Sequence, residues 1–210
     1  MQLNRLEKAL ATLLDVTTVK QVTGILARAA EIGRISYEEA RKEISDDPDD
    51  ALLTANSERL LIPVRSCRGT LEWDDAILLC IPGESYRMPN IIRHLVKEAE
   101  QTGQWNPKHA VGQLFREIGE QDWESMFELI QRLGERASYW VINAGQIVEI
   151  CTDLGIRDKV DLIVAELKGS GVMSPKLGSM TEAMAAGSPL YKLNPSLFVG
   201  DPSNESFLHL

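Results

Sequence analysis

Residues 145–175 read GQIVEICTDLGIRDKVDLIVAELKGSGVMSP, and the glycines inside that stretch limit the fold more than any other feature of the chain. With Ile142 before them, Ile147, Ile150, Cys151 and Leu154 recur at helical spacing and stop at Gly155. After a turn over 156–158, Val160, Ile163, Val164 and Leu167 repeat the pattern, and the GSG at 169–171 stops it again. The spacing predicts two short amphipathic helices meeting at a tight turn. VMSPKLGS and SPLYKLNPSLF follow, two strand-like runs on either side of a small-residue tip, TEAMAAGS.

The start of the chain shows a looser version of the same succession. Leu3, Leu6, Ala9, Leu10, Leu13 and Leu14 form one helical stripe, and a second helix runs through VKQVTGILARAAEIG to Gly33. Ser36, with Glu39 three residues on, makes a capping box for a helix over ISYEEARKEI. Pro48 in SDDPDD ends that helix, and the aspartates favour the first turn of the next, DDALLTANSERLL. The period then changes. LIPVRSC and AILLCIP, joined by RGTLEWDD, predict a β-hairpin over 61–82, and GESYRMPN reads as a connection.

IIRHLVKEAEQTG, HAVGQLFREIG and WESMFELIQRLGERASYWV each carry a helical stripe and no strand signal. The expected fold is mainly α with small β-hairpins, of the α+β class. A first unit covers 1–88, a helical connector 89–140, a second unit 141–199 and a flexible tail 200–210. A competing reading stays open: GQLFREIGEQDWESMFELI echoes GQIVEICTDLGIRDKVDLI at a displacement of 33 residues, which would make 112–167 part of a helical repeat.

With 210 residues, 44% of them hydrophobic and 25% charged, the chain can bury a core without disulfides or structural metal. Its apolar runs are far shorter than the ~20 residues needed to cross a bilayer. The N-terminus lacks the basic start and apolar block of a secretion signal, so the expectation is a cytoplasmic protein with no membrane contact. Cys67, Cys80 and Cys151 are far apart and form no C-x-x-C pair. Cys80 and Cys151 read as buried small hydrophobes, and Cys67 has no neighbouring histidine or second thiol to make it reactive. His94, His109 and His209 stand apart, and His94 is expected to face Glu98 in a solvent-exposed pair. No metal is expected. Phosphate-binding loops, dinucleotide fingerprints and nucleophile elbows are all missing, and the glycines of KGSG follow a helix instead of preceding one. The expectation is a chain without catalytic residues or cofactors, not an enzyme.

The block 141–198 resembles a winged helix-turn-helix domain through the helix ending at Gly155, the turn after it, the helix ending LKGSGVMSP and the strand closing YKLNPSLF. The first 88 residues resemble it more loosely. The resemblance implies that the helix after the turn enters the major groove of DNA and that the wing touches phosphates. On this chain it implies contacts by Arg157, Lys159 and Lys168 on the second helix, by Lys176 and Lys192 on the wing, and by Arg59, Arg65 and Arg68 in the first unit. Against DNA stand Asp158, Asp161 and Glu166 in the same helix and a net charge of -9. Two functions follow. The first is a dimeric DNA-binding transcriptional regulator acting through a local basic face. The alternative is a winged-helix scaffold for protein assembly, similar to the tandem winged-helix subunits of chromosome-condensing complexes, that holds a protein partner or a second copy and does not bind DNA directly.

Overall fold

The computed structural model describes residues 4–44, 47–120, 122–177 and 189–198. Leu3, Ser45 and Asp46, the tip at 181–188, and the tail at 200–210 with His209 lie outside the described residues.

Helix ends follow local chemistry. Asn4 and Glu7 close a capping box on α1 (Arg5–Leu10), and Asp15 accepts from the Thr17 and Thr18 amides at the start of α2 (Val16–Ile32). Gly33, at φ 82°, stops α2 in the left-handed conformation. Strand β1 (Arg34–Ser36) leads into α3 (Tyr37–Glu43), capped by the expected Ser36–Glu39 box. Asp47 caps α4 (Pro48–Ser57), whose Pro48 sits in the first turn, where a missing N–H costs nothing. Strands β2 (Ile62–Pro63) and β3 (Ser85–Arg87) complete an antiparallel sheet in the order β1-β3-β2.

Helix α5 (Asn90–Thr102) packs on α1 and α2, α6 (Pro107–Glu117) packs on α5, and α7 (Trp123–Arg136) packs on α6. The chain then repeats itself: β4 (Val141–Asn143), α8 (Ala144–Asp153), a 3₁₀ turn (Arg157–Lys159), α9 (Val160–Ser170), β5 (Met173–Pro175) and β6 (Leu190–Leu193). The second sheet is ordered β4-β6-β5. Among the described residues the chain is mainly helical with two small antiparallel sheets, an α+β fold. One continuous apolar core runs from Leu6 to Phe198 through both halves and the helices between them.

Several sequence expectations need correction. The first hairpin is not built from AILLCIP. Residues 76–82 form no strand beyond a single bridge between Ser66 and Ala76, and the partner of β2 is Ser85–Arg87, inside the segment read as a connection. What wins there is inward packing: Tyr86 is 1% exposed opposite Ile35, whereas Ile81 is half exposed. Both opening strands, β1 and β4, escaped notice because three residues are too few to show a period of two. Helix α7 stops at Arg136 short of the expected end: Ala137 is already extended, at φ -70° and ψ 142°, and Tyr139 and Trp140 follow with left-handed φ values of 49° and 60°. Helix α4 likewise stops before Leu61. Arg59 is left-handed at φ 56°, and the Leu60 and Leu61 amides both turn back to the Ala55 carbonyl. The 33-residue echo pairs two helix-turn-helix segments, but β4 separates them and only the later pair runs into a sheet.

The two halves are stitched by a corner at 194–196. Asn194 and Ser196 are fully buried, and the Asn194 amide donates to the carbonyls of Arg59 (3.2 Å) and Gly171 (3.3 Å). The Ser196 hydroxyl donates to the Glu58 carbonyl at 2.7 Å, while its own carbonyl accepts from the Trp105 indole at 2.8 Å. Every polar atom in this set finds a partner, as burial requires. The corner therefore fixes the end of α4 against the second sheet.

Candidate functional site

In each half the helix before the last two strands has one face free of the core. On α4 the exposed positions after Pro48 are Asp50, Leu53 and Ser57, with Leu53 53% exposed. On α9 they are Asp161, Leu162, Ala165, Lys168 and Gly169, with Leu162 56% exposed while its neighbour Ile163 is 2% exposed. Val160, Ile163, Val164 and Leu167 turn to the core as their spacing predicts. Each outward face carries an aspartate in its first turn and an exposed leucine, α9 adds Lys168 near its end, and α4 presents no basic residue at all.

Most of the basic residues expected to touch a partner are occupied elsewhere. Arg65 donates to Glu84 at 2.7 Å, and Arg68 lies 3.3 Å from Asp75. Asp75 is buried and also accepts from the Arg68 amide, the Thr70 amide and the Thr70 hydroxyl. Burial alone would raise its pKa, but these donors outweigh it and hold the carboxyl below the usual aspartate range. Lys159 faces Glu120 at 3.8 Å, and Lys192 is bound to Asp74. The Arg59 guanidinium sits 5.7 Å from the centre of the Trp73 ring, where burial lowers its pKa against the pull of Asp74 and Glu58. Lys176 is half-buried and has an interaction partner. Arg157 and Lys168 are exposed, with no ion pair among the described residues. Arg59 and Lys192 thus lie at the seam between the halves, Arg65 and Arg68 brace the first loop, and Lys159 reaches Glu120 in the turn between α6 and α7.

A cleft of about 310 Å³ opens along that seam. The loop between β2 and β3 supplies Leu71, Glu72 and Trp73, the end of β3 supplies Arg87, α9 supplies Lys168, and β5 supplies Met173 and Ser174. The Trp73 amide donates to the Ser174 hydroxyl at 3.0 Å, and the Leu177 amide donates to Asp74 at 3.1 Å, which locks the first loop to the second sheet. Sequence reasoning missed Trp73, Asp74 and Arg87. For Trp73 and Asp74 the only local signal was the aromatic and acidic character of LEWDD, since their partners lie about a hundred residues away; Arg87 lay in the segment read as a connection, 16 positions from its partner Leu71.

The histidines do not follow their expected pairing. His94 lies 3.3 Å from Glu117, and it is His109 that approaches Glu98, at 3.0 Å but outside hydrogen-bonding geometry. Both contacts join α5 to α6. Burial lowers the His94 pKa despite Glu117. Among the described residues no group of three His, Cys, Asp or Glu is placed to hold a metal ion, and no helix is long and apolar enough to cross a membrane. All three cysteines are free: Cys67 is exposed, Cys80 is half-buried instead of fully buried, and Cys151 is in the core. Burial raises the thiol pKa of Cys80 and Cys151.

Comparison with known proteins gives one positive result. No curated protein and no solved structure matches the chain. A protein-family model matches residues 4–200, nearly the full length, and the chain belongs to that family.

Proposed function

We propose that the chain is a non-catalytic tandem winged-helix protein that holds protein partners, an assembly scaffold and not a reader of DNA. In each half a helix, a strand, two helices and two further strands follow one another, and the last strand is central in the sheet. That succession supports the winged-helix reading. On this reading α7 is the first helix of the second unit, which begins near Trp123 and leaves α5 and α6 as the connector.

The observation that carries the partner assignment is the outward face of α4 and α9, the helices that would lie in a major groove. Those faces present Asp50 and Leu53, and Asp161 and Leu162, where phosphates and base edges would demand Lys, Arg, Asn or Gln. An exposed leucine offers apolar area to a protein surface, and an acid beside it repels phosphate. The ion pairs of Arg65, Arg68, Lys159 and Lys192 remove most of the cations a duplex would need. The free thiols fit a reducing cytoplasm.

One observation favours the DNA-binding regulator as a second reading. Arg157 and Lys168 are exposed near the two ends of α9. Fluorescence anisotropy with a nonspecific duplex at low salt separates the two. The scaffold reading expects no binding; binding that falls steeply with added salt and weakens in Arg157→Gln replaces it with the regulator.

A further inference from the structure

The chain has 31 acidic residues against 22 Lys and Arg, and carboxylates accordingly neutralise Arg28, Arg65, Arg68, Arg132, Arg136, Lys159 and Lys192. Arg87 is an exception. It is partly buried at the cleft between the halves, and no carboxylate pairs with it among the described residues. Its guanidinium donates to the Leu71 carbonyl, which uses one of five N–H groups. Burial without a compensating acid lowers its pKa. Register adds to the imbalance. Arg87 stands opposite Arg34 on one side and Ile62 on the other, so two like charges share a face of the first sheet. Lys168 reaches the same cleft from α9, also without an ion pair among the described residues.

We infer that this cleft is a docking site for an acidic segment of a protein partner, with one carboxylate bound by Arg87 and Lys168 and a neighbouring apolar side chain seated against Leu71, Trp73 and Met173. The fork of a guanidinium matches a carboxylate in two parallel hydrogen bonds. Leu71 is 71% exposed at the rim and Met173 is 1% exposed beneath it, which places apolar surface beside the cations. A cleft of about 310 Å³ stands at the small end of ligand sites and holds one or two side chains of an extended peptide. Glu72 lines the same cleft and repels a dianion more than a single carboxylate, which selects Asp or Glu over phosphate.

The inference rests on the protein-partner reading, and its test can fail separately from it. The full chain, labelled with ¹⁵N, is titrated with acetyl-Gly-Leu-Glu-Leu-Gly-amide, with the same peptide carrying Gln for Glu, and with inorganic phosphate. Expected are saturable shifts of the Arg87 side-chain N–H and the Ser174 amide with the Glu peptide. Binding should weaken by roughly tenfold or more for the Gln peptide and for Arg87→Gln, the loss of a charged hydrogen-bonded pair. Lys168→Gln, on an exposed position, should weaken it several-fold and serves as the deciding variant if Arg87→Gln does not fold. Equal binding of the two peptides, unchanged binding in the variants, or no saturable shift overturns the site. Phosphate binding as tightly as the Glu peptide also overturns it, in favour of a small-anion site. Duplex binding by the unaltered chain would instead remove the protein-partner reading.

Discussion

The two halves share a frame and differ in how they turn into it. Ser36 with Glu39 and Asn143 with Gln146 form matching capping boxes at the end of each opening strand. Ile35 faces Tyr86 and Ile142 faces Tyr191, and the first amide of the next helix donates to a carbonyl just before the last strand in both, Tyr37 to Glu84 and Ala144 to Pro189. The approach to that strand differs. The first half uses Gly33, which adopts its left-handed φ freely; the second places Tyr139 and Trp140 in left-handed conformations that β-carbons resist. Trp140 stacks on Phe198 at 5.3 Å, and Phe198 lies where Gly134 has room for no side chain. The lesson is that caps and one inward pair define the frame, while the turn is set by what each half must hold beside it.

The sharpest break of the comparison lies within α9. Ile163→Asp should unfold the second half, because an unpaired charge in a core position costs several kcal/mol. Leu162→Asp, one residue away on the exposed face, should change stability by less than about 0.5 kcal/mol. Urea unfolding of both variants checks it. Equal losses would mean that α9 is covered on both sides and that its outward face is no docking surface.

Gly33 and Gly171 offer a cleaner contrast, since both end helices at φ 82°. A Cβ on Gly33 meets nothing within 4 Å, so Gly33→Ala should cost only the left-handed penalty, about 1 to 2 kcal/mol. A Cβ on Gly171 would lie 2.4 Å from Cβ of Pro89, at the start of α5. Gly171→Ala adds overpacking of about 1 to 3 kcal/mol at the junction of the halves. Thermal unfolding should show the second variant melting below the first; coincident melting would mean that the α9–α5 junction yields freely.

How much of this was legible depends on the distance over which each feature is decided. Helices α2, α5 and α9 declared themselves because stripe and stop lie within a few turns: Val19, Val22 and Leu26 before Gly33, or Ile163 and Leu167 before Gly171. Three-residue strands such as Arg34–Ser36 carry no period, and their pairing is set by partners some fifty residues on. The candidate site was less legible still. Whether Lys192 faces solvent or Asp74 depends on a residue 118 positions away, and Arg87 is placed at the cleft through the Leu71 carbonyl, 16 positions back.

Asp75 tests whether the loop of the first half is held by charge. Its folded pKa is depressed, so its stabilising effect is complete above the unfolded-chain value, about 4, and is lost as pH falls through the lower folded value. Asp75→Asn should therefore be less stable than the unaltered chain at neutral pH, and the gap should close on acidification. Denaturant midpoints measured from pH 7 downward check this. A gap that persists unchanged into acid would show that shape and hydrogen bonding, not ionisation, hold Arg68 and Thr70 in place.

The smallest expected effect returns to the turn that distinguishes the halves. Tyr139 is 90% exposed, so its side chain contributes almost no burial, yet its φ of 49° carries the left-handed penalty that Gly33 avoids. Tyr139→Gly removes that penalty but adds flexibility to the unfolded chain, leaving a net gain of a few tenths of a kcal/mol up to about 1. Trp140→Gly gains the same relief and forfeits the stack on Phe198, so it should come out destabilised. Chemical denaturation of the two variants side by side separates strain from packing. A stabilised Tyr139→Gly would mean that the left-handed φ at the turn costs more than the exposed ring returns to folding.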